Sequence, residues 1–132
     1  VKIFLDANVV FSACNENSNI HRFIKLVSAK HQLITSQYAF EEARRNIELK
    51  RSQWIAGLEI ISSLVVVVAD ARLIIDVNLA DKDKPILGAA IAHKCDYLLT
   101  GDKKDFGHLF GVTLEKVTVI DYLTLAILLN SN

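Results

Sequence analysis

The chain carries no surplus of charge of either sign, since 15 lysines and arginines stand against 15 aspartates and glutamates. A bulk attraction to nucleic acid or to a membrane surface is therefore not available to it, and any positive patch has to be local. Cysteine is scarce: Cys14 and Cys95 lie too far apart for metal-ligand spacing and read as free buried thiols of a reducing compartment. Long hydrophobic runs are missing too, as the most apolar stretch, LVVVVA at residues 64–69, is far too short to cross a bilayer. No leader-like segment stands ahead of the strand-like run VKIFLD. These absences predict a soluble cytoplasmic protein. Proline occurs once, at Pro85, and no linker, repeat or low-complexity segment interrupts residues 1–132, so one domain is expected.

What is present is apolar and evenly punctuated. Apolar residues make up 52% and charged residues 23%, the balance of a packed globule rather than a disordered chain. Residues 2–5 read as a parallel strand buried on both faces. ANVVFSACNENSN reads as a loop or short helix. Ser18 or Asn19 caps a predicted helix from Ile20 to Lys30, with Ile20, Phe23, Ile24 and Val27 at helical spacing. QLIT at 32–35 is a short strand, Ser36 caps a helix to Arg51, a further helix covers 52–63, and Val65–Val68 is a β-branched strand. DARLIIDVNLA looks helical. A helix opens at Asp83 or Lys84 with Pro85 in its first turn. Tyr97–Thr100 is a strand, GDKKDFGHLFG a glycine-punctuated loop, Lys116–Ile120 the last strand, and Asp121 caps a terminal helix. Strands alternating with helices predict a three-layer α/β domain with a parallel sheet of about five strands.

Five acids fall where such a fold gathers side chains: Asp6, Glu42, Asp83, Asp102 and Asp105. Asp6 ends the first strand and Asp102 follows YLLT by one glycine, so both point into the crevice beyond the strand ends, where open α/β sheets bind ligands. Clustered hard oxygens without cysteine or histidine suit Mg²⁺ or Mn²⁺, and hence metal-assisted phosphodiester chemistry. Each acid also has an ordinary structural reading. Asp6 makes a turn or cap, and Asn8 orients it. Glu42 pairs along its helix with Arg45 or Asn46, and Glu41 competes with it for the site. Asp83 is an N-cap, with Asp81 as its competitor. Asp102 and Asp105 belong to a turn, although with Thr100 they crowd like charge that a cation would offset.

The phrases FLDANVVFSA, TSQYAFEEARRNI, DKDKPILGAAI and YLLTGDKKDF resemble, in order, the four acidic motifs of PIN-domain ribonucleases. The resemblance implies a Rossmann-like core with metal-site acids at Asp6, Glu42, Asp83 and Asp102. It places an additional, more variable acid at Asp105 and supporting polar residues at Asn8 and Thr100. It further implies divalent-metal cleavage of single-stranded RNA leaving a 5′-phosphate, a homodimer, and the role of a toxin restrained by an antitoxin protein.

Around these acids, Arg44, Arg45, Lys50 and Arg51 form either a solvated helix face or an edge that tracks RNA phosphates away from Glu42. Lys82, Lys84, Lys103 and Lys104 border the acids and either balance their charge or hold phosphate. Arg44, Arg45, Lys103 and Lys104 are thus the candidate RNA contacts. His21, His31, His93 and His108 show no ligand spacing, and Trp54 and Tyr38 read as core. Two rival functions remain open. One is a phosphotransferase or phosphatase with Asp6 as nucleophile, which ordinarily wants an aspartate where this chain has Asn8. The other is a non-catalytic RNA- or partner-binding domain.

Overall fold

The computed structural model describes residues 1–130. Its strands are β1 (Lys2–Leu5), β2 (Gln32–Ser36), β3 (Val66–Val68), β4 (Tyr97–Leu99), β5 (Thr113–Leu114) and β6 (Val117–Ile120). Its α-helices are α1 (Ala7–Ala13), α2 (Asn19–Ser28), α3 (Gln37–Lys50), α4 (Ile55–Leu64), α5 (Lys84–Ala92), α6 (Lys103–Phe106) and α7 (Tyr122–Asn130). The sheet runs β3-β2-β1-β4-β6-β5, with five strands parallel and only β5 antiparallel, against β6. Ile3, Phe4 and Leu5 are fully buried, as a central strand covered on both faces requires.

Successive strand residues alternate between two cores, which makes the three layers. Ile3, Leu5, Leu33, Leu99 and Ile120 pack with α1, α2, α3, α4 and α7 on one face. Phe4, Ile34, Leu98, Val117 and Val119 pack with α5, α6 and the start of α3 on the other. Side-chain caps fix several helix starts: Ser18 accepts from the His21 amide at 3.1 Å, Ser36 from Ala39 at 3.2 Å and Asp121 from Thr124 at 3.0 Å. No helix among the described residues is long and apolar enough to cross a membrane.

The structure corrects the sequence reading at three places. Residues 70–80 are not a helix. They cross α5 as an irregular extended strap, with Ala71, Leu73, Ile75, Val77 and Leu79 turned inward and the residues between them exposed. That alternation is the period of an extended chain, not of a helix. The strap lies so close that a Cβ on Gly88 would sit 2.6 Å from the Ala71 carbonyl oxygen. The segment after Gly101 is not all loop, since Asp102 caps the single-turn helix α6 through the Asp105 amide at 2.9 Å. The sheet gains a sixth strand: β5 and β6 are joined by Glu115 and Lys116, both at positive φ (49° and 72°), the geometry of a tight two-residue hairpin turn.

Candidate active site

β1 and β4 are neighbours at the middle of the sheet, and the chain builds outward from them in opposite directions. Parallel sheets open a crevice at such a reversal, beyond the strand carboxyl ends. Asp6 follows β1 directly, and its amide continues the ladder to the Leu99 carbonyl at 3.0 Å. Thr100, Gly101 and Asp102 follow β4. Ser36 ends β2 and starts α3, which carries Glu42 in its second turn. The turn before α5 supplies Asp83. A cleft of about 400 Å³ lies here, lined by Asp6, Ala7, Asn8, Phe11, Glu42, Asn46, Lys50, Arg51, Lys82, Asp83 and Asp102.

Asp6 is nearly inaccessible and both its oxygens are engaged. Oδ1 accepts the Ala7 amide at 2.7 Å, and Oδ2 accepts the Thr100 hydroxyl at 2.8 Å and the Asn8 amide nitrogen at 3.0 Å. Asn8 Oδ1 in turn accepts the Gly101 amide at 2.8 Å, binding the two strand ends together. Burial pushes the Asp6 carboxyl up to about 6, with the Glu42 charge adding to it and the three hydrogen bonds opposing it. This engagement argues against Asp6 as a free nucleophile.

Asp83 occupies the N-cap position of α5 yet makes no capping hydrogen bond. Its Oδ2 is buried without a hydrogen-bond partner. Burial pushes this carboxyl up to about 6 as well; Lys82 pulls it down, while Asp6, Asp105 and Asp102 push it higher. Asp83, Asp102 and Asp105 each offer an oxygen within 4.8 Å of the others. Two oxygens bound to one Mg²⁺, Mn²⁺ or similar ion stand about 3–5 Å apart, given ligand bonds of about 2.0–2.6 Å. The spacing, the hard donor set and the orphaned Asp83 oxygen fit a divalent cation. Asp6 and Glu42 line the same cleft but stand outside this compact triad.

Other candidates separate cleanly by position. Glu41 pairs with Arg44, which also binds Glu48, all on the outward face of α3. Glu42, one residue on, lines the cleft. Asp81 is exposed and paired with Lys84 at 3.0 Å, whereas Asp83 points inward. Arg45, Lys103 and Lys104 are exposed and, like Arg44, are absent from the cleft lining. The cations that do line it are Lys50, Arg51 and Lys82, with Asn46 between. Asn46 and Lys50 follow Glu42 at steps of four, one face of a helix, and that spacing was the available signal. Arg51 lies over the Trp54 ring, 5.6 Å from its centroid, and Trp54 packs on Phe11 with centroids 5.2 Å apart. Trp54 and Tyr38 are half-buried, each packed against one of the two cores. His21 is buried, with Nδ1 bonded to the Ala13 carbonyl at 2.7 Å, and serves packing.

A family model described as PIN domain matches residues 2–104. The chain belongs to the PIN-domain family. The matched segment of this PIN domain contains Asp6, Glu42, Asp83 and Asp102, and it stops one residue short of Asp105. A similar solved fold occurs in the crystal structure of VapBC2 from Rickettsia felis bound to a DNA fragment from their promoter. That likeness has a TM-score of 0.66 at 15% identity and covers 92% of this chain and 99% of that one. No curated protein matches the chain in sequence.

Proposed function

We propose that this PIN domain is a Mg²⁺- or Mn²⁺-dependent endoribonuclease cutting single-stranded RNA, and that it acts as the toxin of a toxin–antitoxin pair. The observation that carries the reading is the buried, unpartnered Asp83 Oδ2 beside Asp102 and Asp105, in a cleft that also receives Asp6 and Glu42. Asp83, Asp102 and Asp105 would hold the cation, and Asp6 and Glu42 add negative charge to the same cleft. These residues would thereby supply, through the bound cation, screening of the phosphodiester charge and a water of lowered pKa. Asn8 and Thr100 fix the Asp6 carboxylate, so its direction into the cleft does not depend on the substrate. Glu42, on the cleft side of α3, orients the water that attacks phosphorus in line as the P–O3′ bond breaks, leaving a 5′-phosphate and a 3′-hydroxyl. Asn46, Lys50 and Arg51 hold the phosphates that run on from the cut.

The likeness to a chain of the VapBC2 structure supports an antitoxin partner. Leu123, Ile127 and Leu128 are exposed on α7, an apolar face that supports a homodimer. Buried free thiols at Cys14 and Cys95 agree with a reducing cytoplasm.

The test incubates purified protein with labelled mixed-sequence RNA, in Mn²⁺ or in EDTA. Cutting in Mn²⁺ that EDTA and Asp6→Asn both abolish is expected. Cutting that survives either treatment would sink the reading. RNA binding with no cutting by any preparation would move the assignment to a non-catalytic RNA-binding domain.

A further inference from the structure

The acid triad is not left uncompensated. Lys82 Nζ lies 2.9 Å from Asp105 Oδ2, and its own charge is favoured by Asp105, Asp83 and Asp102. Lys84, two residues on, is turned away to Asp81.

The backbone and the head of Lys82 differ in freedom. Its carbonyl accepts the Tyr38 hydroxyl at 2.8 Å, and the next amide, that of Asp83, closes a turn onto Ala80 at 2.9 Å. The main chain is therefore pinned at the edge of the cleft. The side chain, 65% exposed, makes one ion pair, to the largely covered Asp105 carboxylate, and with the lysine so open to solvent that contact is readily exchanged. A single ammonium also cannot complete the site, since Asp83 Oδ2 remains without a partner while Lys82 is in place.

We propose that Lys82 is a tethered counter-ion of the Asp83–Asp102–Asp105 cluster, a built-in monovalent substitute that a divalent cation must displace to fill the site. The proposal rests on the metal-dependent reading above. Its consequence is that the chain sets its own threshold for metal. With no cation the ammonium limits repulsion among the acids and keeps the cluster formed. When a cation enters, the positive charge of Lys82 opposes it and raises the concentration needed. The displaced head group remains at the cleft mouth, because its backbone is anchored and its side chain lines that wall.

The test is a calorimetric titration of Mn²⁺ into EDTA-stripped, dialysed protein at fixed ionic strength, with the apo melting temperature measured alongside. Lys82→Gln should bind Mn²⁺ roughly three- to tenfold more tightly, from removal of one positive charge several ångströms from a doubly charged ion in screened solvent. The same variant should melt lower without metal. Lys82→Arg, which keeps the charge, and Lys84→Gln, which removes the charge paired to Asp81, should both retain the wild-type dissociation constant. An unchanged or weaker constant for Lys82→Gln overturns the proposal, even if its melting temperature falls, because a purely structural ion pair would do that. Absence of any Mn²⁺ binding by the wild type overturns the metal site itself, an outcome visible before a variant is made.

Discussion

The Thr100 hydroxyl donates to Asp6 Oδ2 at 2.8 Å across 94 residues of sequence, tying the end of β4 to the end of β1. The Thr100 hydroxyl oxygen also accepts the Asp102 amide at 3.1 Å, so one hydroxyl sets the position of two acids at the ends of adjacent strands. Thr100→Val keeps the shape and removes both bonds. It should lower stability by about 1–3 kcal/mol, because a buried carboxylate loses a donor. It should also raise the Asp6 pKa above its present value of about 6, as one of the bonds holding it down is lost. Denaturant titration and the acid limb of a pH–rate profile measure the two effects, and Thr100→Ser should restore both. A valine variant with wild-type stability and profile would show that the bond does not govern Asp6.

Without metal, the protein should be more stable near pH 5 than near pH 7.5. Burial raises Asp6 to about 6 in the folded chain, against about 3.9 when unfolded. Between these values the native state binds the extra proton, so stability falls as pH rises through the window and stays lower above it. For Asp6 the full difference is on the order of 3 kcal/mol. Asp83 shifts in the same direction. Urea unfolding in EDTA at several pH values should show the slope, and Asp6→Asn should flatten much of it. A slope of opposite sign in the wild type would contradict the burial of these acids.

Glu42→Gln should reduce cutting by about a hundredfold or more, the scale of losing a positioned catalytic or metal-orienting group. Glu41→Gln should stay within a few-fold of wild type, since Glu41 spends its charge on Arg44 away from the cleft. Single-turnover rates on one RNA compare the pair directly. Equal losses in both would remove the basis for assigning Glu42 to the site.

Lys50→Ala and Arg51→Ala should weaken RNA binding and each reduce the slope of log affinity against log salt by about 0.7, the loss of one phosphate contact on a single strand. Arg44→Ala should leave the slope unchanged, its guanidinium being held by Glu41 and Glu48. Fluorescence anisotropy over a salt series distinguishes them. A larger effect at Arg44 than at Lys50 would put the RNA path on the outward face of α3.

Gly88→Ala should destabilise the fold by about 1–3 kcal/mol, the cost of overpacking. In an ordinary helix the same change stabilises by about 1 kcal/mol. Here the new methyl meets the Ala71 carbonyl and the backbone of Arg72 and Leu73, with contacts of 2.6 and 2.7 Å. A raised melting temperature would mean that the strap yields easily and is not closely packed on α5.

Local chemistry made several features legible in the chain itself. Ser18, Ser36 and Asp121 announced helix starts because a side-chain oxygen three residues before an amide caps it wherever the helix lies. The run IFL after Lys2 announced a buried strand because a strand covered on both faces tolerates consecutive apolar residues. The inward–outward alternation of residues 71–79 was equally present in the sequence. It is interrupted at Ile74, apolar yet exposed, and packing against α5 makes the extended form the stable one. The hairpin turn at Glu115 and Lys116 gave no warning, because neither residue favours positive φ, and pairing of β5 with β6 imposes it.

Which residues carry charge, which runs are buried and where most helices begin follow from side-chain type and short-range spacing along the chain. What the acids do with that charge depends on the folded structure. It placed Asp6 under Thr100, brought Asp83, Asp102 and Asp105 within 4.8 Å of one another, and set Lys82 against them. It also turned Glu41 and Arg44 outward while Glu42 and Lys50 face the cleft. The physical reason is that desolvation and Coulomb interaction depend on distances across the fold, which the order of residues along the chain does not contain.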